Sequence, residues 1–440
     1  MECIAIPWIE PPSAFCALAN DSHVTFFDSA APGDVRSIVS YICTAPISCL
    51  RLENDAADPF RELARWRAAN RAETFLPPAE WPFPFAGGAA GWIGYDLGRQ
   101  AAGVKSRLAP IDDLPGGWFG LYDRVIGFDH ASKRSWILAP SKPECRALET
   151  RMSAAPLEVN ALAGCPDWQA ETSRASYDAG FARLREYIAA GDIYQANFTT
   201  RVMAPRQPSF SPASYYLALR QLSPAPFSNY IDCGDGVVIA GASPERFLRL
   251  RADGRVESRP IKGTAMRHKD PAADAAAARA LRESPKERAE NLMIVDLLRN
   301  DLAQVCEIGS IAVPELFAVE SYAQAHHLVS AVTGRLRAGL GPEDLLAAAF
   351  PGGSITGAPK RRAMQIIDEL EAGPRGAYCG MTGWIGFDGA MDSSVIIRSL
   401  VATRSRLYAQ AGGGITWESA ANAEYDEMLL KLSSLLAGRG

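Results

Sequence analysis

The sequence lacks several features that define other classes of protein. It has no apolar run of about 18 residues that could span a membrane, and its first residues, MECIAIPWIEPP, contain no basic segment followed by an apolar one. The nine cysteines form no CxxC pair, which argues against a zinc site or a disulfide framework. The 45 basic and 50 acidic residues give a net charge of −5, so no basic surface for nucleic acid is indicated. We expect a cytoplasmic enzyme with neither a membrane nor a nucleic-acid partner.

Short motifs of several enzyme classes are also absent. There is no GxSxG, HExxH or GxGxxG pattern, which argues against a serine hydrolase of the α/β type, a zinc peptidase and a dinucleotide-binding fold. The glycine-rich segment 350–360, FPGGSITGAPK, departs from the P-loop pattern GxxxxGK(S/T), because Ala358 and Pro359 stand where glycine and lysine would follow. Backbone amides of such a loop at the start of a helix still suit an anionic substrate.

The patterns that are present predict an α+β fold with large antiparallel sheets. Residues 1–140 consist of short apolar runs separated by turn residues, and residues 141–170 form a connecting segment rich in proline, alanine, serine and glutamate. Residues 171–436 mix strands and helices without regular βαβ alternation. The longest helical pattern, 270–305, breaks at Pro285. We expect the three regions to form one compact unit.

A lysine stands at the centre of this pattern. Lys262 occurs in RPIKGTAMR (259–267), directly after two predicted strands that are joined by a turn at Asp253-Gly254. We therefore expect Lys262 at a strand end, where the backbone is fixed and the side chain can face a cleft. For this motif alone, the alternative is a surface lysine after a hairpin.

Two predicted helices each carry a pair of glutamates with i, i+3 spacing, which places both carboxylates on one helical face. Glu287 and Glu290 lie in KERAENLMIVDLL, and Glu424 and Glu427 lie in NAEYDEMLLK. Such faces are usually solvated, but Glu290 and Glu427 border apolar runs. Two converging pairs would supply the oxygen ligands that Mg²⁺ prefers.

Three further segments suggest groups for binding an anion. AGGGI (411–415) lets backbone amides approach a carboxylate with no Cβ in the way. Arg398, in the apolar run VIIRSL, is predicted to lie inside a strand and to need a carboxylate partner from the protein or from a ligand. Strand alternation places the rings of His326 and His327 on opposite faces, so at most one can enter a site. The alternative is a histidine buried in the core.

Nine segments, in this order, resemble the chorismate-utilising enzymes, a family that includes anthranilate synthase component I, aminodeoxychorismate synthase component I and the isochorismate and salicylate synthases. The resemblance is close over roughly 176–432 and loose over 1–140. It implies an α+β fold in which two large antiparallel β-sheets pack together with helices on the outside. The matching segments are GDIYQANFT, SPERF, RPIKGT, ENLMIVDLLRNDL, HLVSAVTG, FPGGSITGAPKRRAM, GWIGFDG, AGGGI and AEYDEMLLK.

Two positions in these segments separate the branches of the family. Aminodeoxychorismate synthases carry PIKGT where anthranilate synthases carry PIAGT, and this chain has Lys262. Isochorismate-forming members carry a lysine base where this chain has Gln195, which cannot act as a base near neutral pH. The resemblance thus implies amination of chorismate to 4-amino-4-deoxychorismate, a precursor of p-aminobenzoate and folate. Anthranilate synthase component I stays an alternative, as does a non-catalytic subunit that binds chorismate or an amidotransferase.

The resemblance also implies roles for individual residues. Lys262 would attack C2 of chorismate, Glu245 in SPERF would protonate the departing hydroxyl group, and His327 would complete the catalytic set. The substrate-binding residues that it implies are Gly263, Thr264, Ser354, Tyr378, Arg398, Gly412, Gly413, Gly414 and Lys431.

A cofactor and a partner follow from the same resemblance. Mg²⁺ would be held by Glu290 and Glu427, with Glu287 and Glu424 nearby, and would neutralise the ring carboxylate of chorismate. Ammonia would come from a separate glutamine amidotransferase subunit.

Overall fold

A computed structural model of the chain describes residues 1–31, 33–70, 77–153, 166–322 and 325–436. Within these residues the strands pair into two large antiparallel sheets, and helices pack on the outer faces. No helix in this part of the chain is long and apolar enough to cross a membrane. The predicted α+β fold with two packed antiparallel sheets is confirmed.

The described strands divide between a twelve-stranded and a ten-stranded sheet. In chain order they are β1 (Glu2–Ile6), β2 (Thr25–Asp28), β3 (Val39–Cys43), β4 (Ser48–Leu52), β5 (Gly88–Ile93), β6 (Gly117–Tyr122), β7 (Val125–Asp129), β8 (Arg134–Ala139), β9 (Gln169–Ala170), β10 (Gln195–Pro205), β11 (Phe227–Asp232), β12 (Val238–Ser243), β13 (Arg246–Leu250), β14 (Arg255–Ser258), β15 (Ile261–Met266), β16 (Ala312–Ser321), β17 (Ala325–Arg335), β18 (Gly357–Ala358), β19 (Met381–Gly386), β20 (Met391–Val395), β21 (Ser399–Ala402) and β22 (Arg406–Ile415).

The larger sheet has the order β1-β8-β7-β3-β2-β11-β12-β21-β22-β10-β18, and β9 pairs with β10. The smaller sheet has the order β15-β17-β14-β13-β20-β19-β5-β6-β4, and β16 pairs with β17. Neighbouring strands are antiparallel in both sheets. Side chains from both sheets form an apolar core between them that includes Tyr41, Trp92, Ile239 and Trp384.

Helices cover the outer face of each sheet, and several begin at a proline that follows a capping side chain. The Ser284 hydroxyl group accepts the backbone N–H of Glu287, and Pro285 starts the helix that carries the first pair of predicted metal ligands. The helices are α1 (Pro11–Leu18), α2 (Pro59–Ala69), α3 (Tyr95–Ala101), α4 (Lys142–Met152), α5 (Arg174–Ala189), α6 (Pro212–Leu222), α7 (Pro271–Glu283), α8 (Pro285–Ala303), α9 (Pro342–Ala349), α10 (Lys360–Leu370) and α11 (Ala421–Leu436).

The first part of the chain contributes strands to both sheets. β2 pairs with β11 in the larger sheet, and β5 pairs with β19 in the smaller one. The division into residues 1–140, 141–170 and 171–436 stays a prediction. The connecting segment itself contains α4, which packs on β1 and β8, and its residues 154–165 lie outside the described part of the chain.

Candidate active site

One cavity of about 480 Å³ brings together most of the residues that the sequence assigned to a site. Its walls come from both sheets, from α11 and from the segment between β2 and β3. Gly263 and the four predicted metal ligands do not line this cavity, and Glu290 lines a separate cavity of about 950 Å³ together with Lys286 and Trp417. The predicted residues that line the cavity are Glu245, Lys262, Thr264, His327, Ser354, Tyr378, Arg398, Gly412, Gly413, Gly414 and Lys431.

Lys262 reaches the cavity from an irregular point of its strand. It is the second residue of β15, and the pairing of β15 with β17 shifts register next to it. Gly263, at this shift, has φ of +85°, and a Cβ there would lie 2.7 Å from a carboxylate oxygen of Glu287, so only glycine fits. The Nζ atom of Lys262 lies 3.5 Å from the point where a Cβ on Gly414 would stand. The amine therefore faces the glycine-rich strand.

Glu245 lines the same cavity from the segment between β12 and β13. Burial raises the pKa of its carboxyl group, and the charges of Lys262 and Arg36 and a hydrogen bond from Ser354 oppose this only in part. A carboxyl group with a raised pKa keeps its proton to higher pH, which is what a general acid requires. The cavity thus contains both the Lys262 amine and a carboxyl group that is suited to donate a proton.

β22 brings Gly412, Gly413 and Gly414 along the cavity. This segment pairs with β10, and a Cβ at Gly412 would lie 2.1 Å from the carbonyl oxygen of Phe198. Glycine is required at this position because two backbones approach closely. Lys431 donates from Nζ to the carbonyl oxygen of Gly412 at 2.9 Å and adds a positive charge to the same wall.

The predicted strand position of Arg398 is wrong. β20 ends at Val395 in the smaller sheet and β21 begins at Ser399 in the larger one, so Arg398 lies in the bend where the chain crosses between the sheets, with φ of +53°. The apolar run VIIRSL shows no sign of this bend in the sequence, because the strands on both sides of it are buried. Burial lowers the pKa of Arg398, and no carboxylate in the described ranges forms an ion pair with it. A partly buried cation of this kind suits an anionic ligand.

The two glutamate pairs approach the cavity from α8 and α11. Glu287 lies against Gly263, whereas Glu424 lies 2.9 Å from the point where a Cβ on Gly413 would stand. The hydroxyl group of Ser419 donates to Glu424 at 2.6 Å. The two helices thus bring one carboxylate to a glycine of β15 and another to a glycine of β22.

Glu290 lies where negative charges of both helices meet. Burial raises the pKa of its carboxyl group, and Glu287 and Glu424 raise it further, while the Lys262 ammonium group opposes them. Carboxylates that repel one another in this way favour a cation between them.

Glu427 is tied to a cation of the protein. Its carboxylate forms an ion pair with Lys431 at 2.6 Å, and this pairing lowers its pKa even though burial acts in the other direction. Among the residues that the structure describes, no three His, Cys, Asp or Glu side chains lie close enough together to hold a metal ion as they stand. The donors fit Mg²⁺ in kind, since all four are carboxylates, two on α8 and two on α11, and Glu427 would have to release Lys431.

Only one of the two neighbouring histidines enters the cavity, as strand alternation predicted. The Nδ1 atom of His327 lies 2.9 Å from the hydroxyl group of Thr264, and burial lowers the pKa of His327 to about 4. The imidazole is therefore neutral near pH 7. His326 is buried on the other face, where its Nε2 atom lies 3.0 Å from Asp274.

The structure adds residues that the sequence analysis did not place in a pocket. Arg36 and Asp34 line the cavity from the segment between β2 and β3, and no local pattern marked them. Gln195, known only as a branch marker, is fully buried, and both polar atoms of its amide lack a hydrogen-bond partner among the described residues. Its amide nitrogen lies 2.3 Å from the point where a Cβ on Gly414 would stand. Lys286, next to a predicted ligand on α8, lies close enough to lower the pKa values of two of the carboxylates.

Comparison with known proteins identifies the family of the chain. The family described as chorismate binding enzyme matches residues 22–437. The chain is 43% identical to aminodeoxychorismate synthase component 1 of Klebsiella aerogenes, over 88% of this chain and 84% of that protein. It is 35% identical to anthranilate synthase component 1 of Streptomyces coelicolor, over 97% of this chain and 86% of that protein. The crystal structure of anthranilate synthase component I from Streptococcus pneumoniae superposes with a TM-score of 0.79 at 28% identity, covering 92% of this chain and 93% of that one. The chain therefore belongs to the family of chorismate binding enzymes.

Proposed function

We propose that this protein aminates chorismate at C4 and releases 4-amino-4-deoxychorismate, the precursor of p-aminobenzoate in folate synthesis. The observation that carries the proposal is the Lys262 amine in the same cavity as the partly buried carboxyl group of Glu245. A lysine at this position supplies a nucleophile, which an anthranilate synthase with alanine there would lack. Relatives named for this activity, at 43% identity in Klebsiella aerogenes, support it.

The proposed binding mode uses separate groups for the two carboxylates of chorismate. The enolpyruvyl carboxylate would bind to Arg398, to the hydroxyl group of Tyr378 and to the backbone amides of Gly412–Gly414. Arg398 has no protein carboxylate of its own among the described residues, so a ligand carboxylate would satisfy it. The ring carboxylate would point toward α8 and α11.

In the first step Lys262, after its ammonium group has lost a proton to solvent, attacks C2 of chorismate with the neutral amine. The ring double bonds shift, the C4–O bond breaks, and the departing hydroxyl group takes the proton of Glu245 and leaves as water. The raised pKa of Glu245 keeps that proton available. The product of this step is a covalent adduct between Lys262 and the ring.

In the second step ammonia attacks C4 of the adduct. The double bonds shift back, the C2–N bond breaks, and Lys262 leaves as a neutral amine from the protonated adduct, while the new ammonium group at C4 gives a proton back to the Glu245 carboxylate. Two displacements of this kind replace the hydroxyl group by an amino group on the same face of the ring. The sum of both steps is chorismate plus ammonia giving 4-amino-4-deoxychorismate plus water.

Mg²⁺, bound by Glu290 and Glu427 with Glu287 and Glu424 near, would neutralise the ring carboxylate and favour attack by a nucleophile at C2. This assignment rests on the carboxylate donors of α8 and α11 and on their mutual repulsion. Ammonia would come from a glutamine amidotransferase subunit, and the word "component" in the names of the relatives supports a two-subunit enzyme.

Product analysis tests the proposal. Purified protein is incubated with chorismate, Mg²⁺ and ammonium salt, and the products are separated by liquid chromatography and mass spectrometry. We expect 4-amino-4-deoxychorismate and no release of pyruvate. Anthranilate with stoichiometric pyruvate would overturn the proposal and establish the second candidate, anthranilate synthase component I, which the 35% identity to the Streptomyces coelicolor protein favours. Binding of chorismate without turnover would identify a non-catalytic subunit.

A further inference from the structure

Arg36 connects the first part of the chain to the catalytic cavity. It lies in the segment between β2 and β3, and only 13% of its side chain is exposed. Its Nη1 atom donates a hydrogen bond of 3.0 Å to the carbonyl oxygen of Pro244. Pro244 directly precedes Glu245 in the chain, so the guanidinium group holds the backbone from which the proposed general acid extends.

The other nitrogens of Arg36 are fixed by a single carboxylate. Nε donates to Asp34 at 3.0 Å and Nη2 donates to the second oxygen of Asp34 at 2.7 Å. The backbone N–H of Arg36 also donates to Asp34, at 2.8 Å. This paired geometry fixes the plane of the guanidinium group, which a lysine could not reproduce.

The face of the guanidinium group covers an aromatic side chain of another wall. The Arg36 carbon Cζ lies 4.2 Å from the ring centre of Tyr322, a distance at which a cation is attracted to the ring. The Tyr322 ring in turn lies 5.5 Å from the ring of His327. Arg36 therefore contacts the segment that carries Glu245 and the wall that carries His327.

We propose that Arg36 is a positioning residue for the amination reaction: it clamps the Pro244–Glu245 backbone to the Tyr322 wall and so fixes the carboxyl group that protonates the leaving hydroxyl. This inference rests on the proposed function, because it concerns the general acid of that reaction. It gives the first part of the chain a part in positioning the general acid, and Arg36 itself does not contact the reacting atoms.

The charge of Arg36 provides a readout that a merely structural role would not move. The groups that act on Glu245 are Lys262 on β15, the Ser354 hydroxyl group and Arg36, which lower its pKa against the effect of burial, and Glu245 also interacts with the thiol of Cys379. Removing the positive charge raises the pKa of Glu245. Removing the negative charge of Asp34 leaves Arg36 unneutralised and lowers it.

The test compares Arg36→Gln, Arg36→Lys and Asp34→Asn in the full-length protein. The rate of adduct formation with chorismate and Mg²⁺, without ammonia, is measured as a function of pH. We expect Arg36→Gln to lower the maximal rate by about 10-fold or more and to move the pH limb governed by Glu245 to higher pH. Asp34→Asn moves the same limb to lower pH, and Arg36→Lys lowers the rate but leaves the limb in place.

A matched control is the exposed pair Arg404–Asp235, whose charged groups are 3.1 Å apart and which does not line the cavity. Arg404→Gln and Asp235→Asn should leave both the rate and the limbs unchanged. The proposal is overturned if Arg36→Gln and Asp34→Asn move the limb in the same direction or leave it in place. If Arg36→Gln does not fold, Asp34→Asn and Arg36→Lys decide alone. Product analysis of the unaltered protein reports separately on the proposed function.

Discussion

Glu245 and Glu427 are the same residue type beside one substrate cavity, yet their surroundings shift their pKa values in opposite directions. Burial raises the pKa of Glu245, and the nearby positive charges reverse only part of that rise. Glu427 has a side chain that is 57% exposed, and its ion pair with Lys431 lowers its pKa. The first carboxyl group is suited to hold a proton, and the second is suited to meet a cation.

In the proposed mechanism, this contrast separates acid catalysis from metal binding. Glu245 lies in the segment between β12 and β13, where protein atoms replace water around its carboxyl group. The Glu427 wall is a helix surface, where a carboxylate stays ionised and can exchange a lysine for Mg²⁺. The positive charge of Lys262 acts to lower the pKa values of both carboxyl groups.

Removing Lys262 should have the largest effect, because in the proposed mechanism Glu245 and the bound Mg²⁺ both assist the bond that Lys262 forms with chorismate. We expect Lys262→Ala to lower the rate of chorismate amination by about 10³-fold or more and to abolish any adduct seen by mass spectrometry. Steady-state product formation with ammonium salt is the measurement. Lys269, exposed and outside the cavity lining, supplies the control variant Lys269→Ala. An unchanged rate in Lys262→Ala would show that ammonia attacks chorismate directly.

Replacing Glu245, the proposed general acid, should have the next largest effect. Glu245→Gln keeps the shape of the side chain but cannot give up a proton, so we expect a loss of about 10²- to 10⁴-fold in rate. In the unaltered protein the activity should fall as the pH rises through the raised pKa of Glu245, because the acid must be protonated. The pH–rate profile of adduct formation measures both. A glutamine variant with full activity would assign the proton to another donor.

Replacing the proposed Mg²⁺ ligands should have the smallest effect on the maximal rate. It should change the Mg²⁺ requirement instead. We expect Glu290→Gln and Glu427→Gln to raise the Mg²⁺ concentration needed for half-maximal activity by at least roughly 10-fold. At saturating Mg²⁺ much of the rate should return, because these groups hold the ion and not the reacting proton. Glu62→Gln, on the exposed face of α2, is the control. An unaltered Mg²⁺ requirement in both variants would remove these residues from the metal site.

The local part of this arrangement could be predicted from the sequence. The break of the long helical pattern at Pro285 appears as α7 and α8, because proline and the Ser284 cap start a new helix. The hairpin before Lys262 appears as β13 and β14, which pair as expected. The meeting of residues from distant segments in one cavity could be predicted because the resemblance covers segments throughout the pocket.

Features that depend on contacts across the fold could not be predicted in this way. Arg398 stands in a crossing between two sheets, and its apolar neighbours indicate burial without showing which sheet buries them. Arg36 comes from the segment between β2 and β3, and only the pairing of β2 with β11 brings it to the cavity. The raised pKa of Glu245 follows from burial, which a single sequence does not give.

The most direct test of the account is the covalent adduct at Lys262. The protein is mixed with chorismate and Mg²⁺ without ammonia, quenched, and examined by intact mass and by peptide mapping. The account predicts a mass gain equal to chorismate minus one water, located on the peptide that contains Lys262, and discharge of this adduct to 4-amino-4-deoxychorismate when ammonium is added. Turnover without an adduct, or an adduct on another residue, would contradict it.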